Sequence, residues 1–390
     1  MSIMRKNHLT ITVVLCLAPL LTPNLYAATV TKMVDLGPEA TRPVDGLTVW
    51  QGKLYGTTFG GGTYNKGTVF QLTRSGTQWT KTVIHDFKGG IHDGDLPAAG
   101  VTFDSAGNLY GTTLQNGSGY CGTVYELIPA RGKWIEKTLH NFTCGSSDDG
   151  QLPGSRLIFD SQGNLYGTTS GGGVLTEGTV FELTPTGSGW QEKVIHSFDR
   201  IADGGSAPQG IVLTEDGSLL GFTDNTIYRL SKESGTWVYT LLYDFYTSSD
   251  IGDLGGVPAL DSAGNVYGVG VSGGAYNSGG LFQFNLSTGV ERTLHEFQGG
   301  TQDGTIPRGS VLLDGRGDVW GTTFGGGANG YGTLYEFTSS DGTYKLIYSF
   351  GPSVGVSPNG ALIQDGQGEL YGTAEGGGSK GQGTVFTVKP

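Results

Sequence analysis

The sequence predicts an all-β chain folded as a seven-bladed β-propeller of four-stranded antiparallel blades, with the ring closed by the N-terminal strand. Three observations lead there. A string of the type Leu165-Tyr166-Gly167-Thr168-Thr169 recurs seven times, its glycine falling at Gly56, Gly111, Gly167, Gly221, Gly268, Gly321 and Gly372. The spacing averages near 53 residues, longer than WD repeats and close to the ~50 of kelch repeats. Each copy contains short runs rich in β-branched and aromatic residues, bounded by Gly, Asp, Ser and Pro, with no helical periodicity. The last copy stops at Pro390 after its third strand, and the chain begins with a strand-like segment, Thr29 to Leu36. That segment supplies the missing fourth strand and pairs two edges that would otherwise be open.

Residues 1–27 read as a secretory signal peptide. Arg5 and Lys6 form a basic start, Leu9 to Leu21 an apolar stretch too short for a comfortable membrane span, and Ala27 a small residue suited to cleavage. Residues 28–390 then form one propeller domain. Length alone suggests two or three domains, but the repeats run to the C-terminus without a linker. The 71 glycines sit at fixed repeat positions between apolar strands, so the composition does not signal disorder.

Within a unit the strands are expected, in the third copy, at Ser155 to Asp160, Asn164 to Thr169, Gly178 to Thr184 and Trp190 to Phe198. Asp160-Ser161-Gln162-Gly163-Asn164 carries the turn residues of a tight hairpin. The glycine inside each Leu-Tyr-Gly string lies mid-strand, where an aromatic side chain from a neighbouring element is expected over it. Trp79, Trp134, Trp190 and Trp237 recur at the start of the fourth strand and are read as packing residues.

Connections alternate between two faces. One carries short turns. The other carries the triple-glycine loops and acidic loops such as Asp93-Gly94-Asp95 and Asp303-Gly304-Thr305, and this long-loop face around the central channel is the candidate binding surface. His85, His140, His196 and His295 share one repeat position in four blades, so they are read as polar tips of outer strands, with no metal assigned. The triple-glycine loops lead from strand to strand without a helix to cradle phosphate. The Asp-Gly loops match no EF-hand spacing and are read as turns, with calcium through their oxygens the alternative. No Gly-x-Ser-x-Gly elbow leading from a strand into a helix and no His-Glu-x-x-His string is recognised, and no cofactor is implied.

Deviations from the repeat mark the candidate ligand-binding residues. His92 is the histidine beyond the signal segment that breaks the repeat position, beside Asp93; Arg156 and Arg308 follow the proline that opens a first strand. The fourth copy lacks the long loop between its second and third strands. The notch this leaves is walled by Tyr276 and lipped by a loop carrying Asp250 and Asp253. Cys121 and Cys144, at the start of the third and just past the end of the fourth strand of blade 2, belong at one edge of a hairpin, so a disulfide is expected in an oxidising compartment.

Net charge is −12, and −14 once Arg5 and Lys6 leave with the signal. An acidic surface without a basic cluster argues against nucleic acid and against an anionic membrane face. The expected partner is an extracellular glycan, protein or small molecule, met by a secreted or periplasmic monomer that does not insert in the membrane after signal removal.

The Leu-Tyr-Gly-Thr-Thr string, the glycine loop, Gly178-Thr179-Val180-Phe181-Glu182-Leu183 and the Asp-x-x-Gly-Asn turn together resemble the GloVer tandem-repeat family of secreted bacterial proteins, over nearly all of residues 45–390. The resemblance implies a propeller-like fold and lends no catalytic residues. Members often bear a C-terminal surface anchor, whereas this chain ends at Val388-Lys389-Pro390 without a hydrophobic tail, so a soluble form is expected. Two functions follow as expectations: a non-catalytic binding module, or an enzyme, a glycan hydrolase or lyase or one handling a small metabolite, with His92, Arg156 and Arg308 converging at the channel mouth.

Overall fold

A computed structural model describes residues 28–248 and 251–390; the predicted signal peptide lies outside the described residues. Apart from one four-residue helical turn, Phe245–Ser248, the described residues are strands, turns and loops, arranged as seven small antiparallel sheets. Blade 1 is Thr48–Trp50, Lys53–Thr58, Thr68–Ser75 and Gln78–Asp86, paired in that order. Blade 7 takes Leu370–Gly376 and Thr384–Lys389 from the end of the chain and its outermost strand, Thr29–Asp35, from the beginning. Thr29 stands opposite Lys389 and Asp35 opposite Thr384, with a bulge between Lys32 and Val34. The ring closes as expected.

There is no single core. Seven clusters of buried side chains sit at the seven seams between blades, each drawing on both neighbours. At the first seam Tyr55, Val69 and Phe87 of blade 1 meet Val101, Leu109, Tyr125 and Leu127 of blade 2. The pattern follows from alternation: a blade's two middle strands are buried on both faces, so both sets of side chains need a partner sheet. The mid-strand glycines are covered as expected. A Cβ at Gly56 would lie 2.7 Å from the Phe70 ring, and one at Gly167 2.5 Å from Phe181. The tryptophans pack edge-on against the preceding blade's tyrosine, Trp190 on Tyr110 and Trp237 on Tyr166.

The first strands differ from expectation. In blade 3 the inner segment is split into Gly150–Pro153 and Ile158–Phe159, because Leu152 adopts φ +58° and turns the chain before it reaches the axis. The same left-handed residue occurs once per blade, at Arg42, Leu96, Leu152, Ala207, Asp253, Ile306 and Ser357. A left-handed Ile306 is intrinsically unfavourable and is held by its surroundings: its N–H donates to Ser278 O of the preceding blade, 3.0 Å. The neighbouring proline, Pro307, packs on Gly279, which has φ +89° and no room for a Cβ.

Candidate functional site

The turn at each left-handed residue delivers the next few residues to the axis. One residue or more from every blade, among them Asp45, Ala98, Arg156, Gln209, Val257, Arg308 and Asn359, lines a cavity of about 210 Å³. One of them, Arg308, stacks against Phe324, which opens the long loop after the strand Val319–Thr323 on the long-loop face. Arg156 reaches from blade 3 to blade 1, donating to Gly46 O (3.2 Å) and Leu47 O (3.3 Å), with Asp45 Oδ2 at 3.8 Å. Its guanidinium occupies the space a side chain at Gly100 would need. Asp45 is itself held by the backbone N–H groups of Gly46 (2.6 Å) and Gly100 (2.5 Å). Arg308 is different. It is exposed, its guanidinium lies 4.6 Å from the Phe324 ring centroid, and it forms no salt bridge among the described residues. A second arginine on this face, Arg42, lies over Phe59 at 5.1 Å.

Arg156 and Arg308 therefore share one cavity. His92 does not join them: it is exposed in a separate crevice between blades 1 and 2, with Ile84, Trp134 and Glu136. Asp93 is buried beside it, accepting from Lys88 N (2.9 Å), with His85 Nε2 at 3.7 Å. Asp253 is the left-handed residue of blade 5 and accepts from Ser272 Oγ, 2.7 Å. Tyr276 is 54% exposed on its loop, and Asp250 lies outside the described residues. The notch beside blade 4 is spanned by Arg200, which reaches Glu177 (3.4 Å), Ser206 (2.5 Å) and Asp224 (3.5 Å). Cys121 and Cys144 form the expected disulfide, Cα–Cα 5.2 Å.

The sequence reading missed what the repeat histidines do. Each meets the aspartate of the following acidic loop: His140 Nε2 and Asp149 at 3.1 Å, His196 and Asp203 at 2.9 Å, His295 and Asp303 at 3.0 Å. A third group arrives from the next blade, four residues before that blade's own repeat position. It is Glu136 or Glu192 at the first two seams, and Tyr239 or Tyr344 at the seams between blades 3 and 4 and between blades 5 and 6. Tyr344 stacks on His295 (centroids 3.6 Å apart, 2° between planes) and donates to Asp303 Oδ1, 2.7 Å. Tyr239 stacks on His196 at 4.6 Å and donates to Asp203 O, 2.8 Å. Burial, helped by Asp149, pushes the Glu192 carboxyl up to about 7; burial and Asp93 raise Glu136. Burial lowers His196 despite Asp203. Burial would raise Asp303, but hydrogen bonds from His295, Gln298 N–H, Tyr344 and Gly304 N–H outweigh it and hold it low.

No helix among the described residues is long and apolar enough to cross a membrane. No curated protein matches the chain in sequence. Among solved structures it is similar to virginiamycin B lyase from Staphylococcus aureus, at 14% identity and a TM-score of 0.60 over 93% of this chain and 99% of that one. It is also similar to the extracellular domain of a one-component system from B. thetaiotaomicron, at 13% identity and a TM-score of 0.59 over 91% of this chain and 39% of that one. At such identities the likeness is one of fold. The sequence pattern of the Gloeobacter/Verrucomicrobia repeat matches residues 20–226 and 222–390, and on that match, spanning all seven blades, the chain belongs to the Gloeobacter/Verrucomicrobia repeat family.

Proposed function

We propose that the protein is a secreted or periplasmic, non-catalytic binding module that takes an acidic extracellular glycan at the channel mouth on its long-loop face. The observation that carries this reading is Arg308: an exposed guanidinium beside an aromatic ring, at a mouth lined from all seven blades, without a carboxylate partner among the described residues. A guanidinium binds a carboxylate through paired, charge-assisted hydrogen bonds, and Phe324 and Phe59 offer faces on which a sugar ring can lie. The rest of the molecule is acidic, with a net charge of −12, so this local positive potential is selective rather than general. The leader-like residues 1–27 and the disulfide support an exported location.

The test is a set of binding isotherms with uronic-acid-containing and neutral oligosaccharides of matched length. Acidic chains should bind, and Arg308→Ala should weaken them at least tenfold, about 1.4 kcal/mol. Equal affinity for neutral chains, or no loss on Arg308→Ala, would overturn the reading. Turnover of a bound sugar would favour the enzymatic alternative, which loses support from the separation of His92 from the channel arginines.

A further inference from the structure

We propose that His140, Asp149 and Glu192 form a binding site for a divalent transition-metal ion of the zinc class, clipping blade 2 to blade 3. One ligand atom from each residue lies within 4.8 Å of the other two. His140 Nε2 and Asp149 Oδ1 are 3.1 Å apart, already close to the separation of about 3.3 Å that two donors adopt on a tetrahedral ion with bonds near 2.0 Å. One imidazole and two carboxylates suit zinc, whereas calcium prefers an all-oxygen shell.

Two further observations make this more than a cluster of acids. Glu192 Oε1 is shut off from solvent and has no hydrogen-bond partner, and Asp149, only 8% exposed, is fixed toward His140 by the N–H groups of Thr143 and Gly150, each at 2.8 Å. That is the outer-shell support that orients a metal ligand. The second observation is a control inside the same molecule. Where tyrosine replaces the glutamate, at the seam between blades 5 and 6, its hydroxyl donates to Asp303 and its ring covers His295, and the set is complete. Glutamate at that position turns a donor into an acceptor. With both carboxyls ionised, the imidazole Nε2 faces two acceptors and can offer one proton between them, and a cation satisfies both at once. The seam between blades 1 and 2 has the same composition in His85, Asp93 and Glu136, and there a buried His85 Nε2 and Asp93 Oδ1 stand 3.7 Å apart, each without a hydrogen bond. Solvent reaches the His140 edge, 22% exposed, so an ion has a way in.

The experiment uses the mature chain, purified without a histidine tag and stripped with chelator. Zinc is titrated calorimetrically, and cobalt(II) is added in parallel and read by its visible absorption. Wild type should bind zinc with at least one equivalent, and Glu192→Tyr, which installs the residue that blades 4 and 6 already use, should lose one equivalent and the corresponding cobalt band. His140→Gln should do the same, while His295→Gln, at a tyrosine seam, keeps the full stoichiometry. No zinc binding by folded wild type, unchanged stoichiometry in both Glu192→Tyr and His140→Gln, or binding of calcium in place of zinc would each overturn the proposal.

Discussion

Blades 2 and 3 meet across a histidine and two carboxylates, whereas blades 5 and 6 meet across a histidine, one carboxylate and a tyrosine. The strand register around the histidine is alike in both: Val124 stands opposite His140 and Leu281 opposite His295, each followed at once by a bulge. What differs is one side chain, Glu192 against Tyr344. At the tyrosine seam the three groups satisfy one another: the stack adds about 0.5–1.5 kcal/mol, and the Tyr344 hydroxyl donates to Asp303. The glutamate seam leaves a buried acceptor whose desolvation costs about 1–3 kcal/mol until a proton or cation arrives. A repeat protein can therefore hold its geometry constant and still make one seam responsive and another inert.

Cutting a seam altogether sets the scale. Deleting Thr29–Asp35 removes the outermost strand of blade 7 and should lower Tm by more than about 10 °C, given 2–4 °C per kcal/mol for domains of this class; calorimetry checks it, and an unchanged Tm would mean that closure does not hold the ring. Converting the inert seam comes next. Tyr344→Glu discards the stack and sets a carboxylate against Asp303, a loss of about 2–3 kcal/mol. It should appear as a lower urea midpoint at unchanged slope. The reverse change, Glu136→Tyr, should stabilise by about 1 kcal/mol in chelating buffer. If both substitutions moved stability the same way, the contrast between the seams would collapse.

The smallest effect is in pH, and it has opposite signs. Glu136, which faces His85 and Asp93, has its folded pKa raised above the ordinary 4.5, so its contribution is fully present below 4.5 and is lost as pH rises through the folded value. His196, which faces Asp203 and Tyr239, has its folded pKa lowered below 6.5. Its contribution is present above 6.5 and is lost as pH falls through the folded value. Going from pH 7 toward pH 5, hydrogen exchange corrected for intrinsic rate should slow in Lys133–Thr143 relative to Thr236–Asp244. A uniform response would show that the third residue of each seam does not set its titration.

Much of this was legible in the sequence, and the reasons are local. Seven glycines under seven aromatic rings leave a periodic trace, as do the hairpin turns, where Asp160 holds Asn164 and the Tyr166 hydroxyl. The disulfide needed only two strands of one hairpin. The left-handed ring left no trace, since Arg42, Leu96, Ala207 and Ile306 share no chemistry. Their φ is imposed by a carbonyl from the preceding blade and a proline seated on a glycine. The histidine clusters were hidden for a related reason. Their three members come from three strands and loops of two blades, and reading His85 or His140 within its own repeat sees an outer-strand tip.

Seven separate cores joined edge to edge make a one-dimensional array with nearest-neighbour coupling, but one bent into a circle. An open array can shed its terminal repeat by breaking one interface. Here every blade has two interfaces, and because Thr29–Asp35 lies in the same sheet as Thr384–Lys389, no blade is terminal. Opening any one of them forfeits two seams at once, so a chain assembled from modules should melt as a single cooperative unit, and a ligand or ion held at one seam should raise the melting point of all seven blades together.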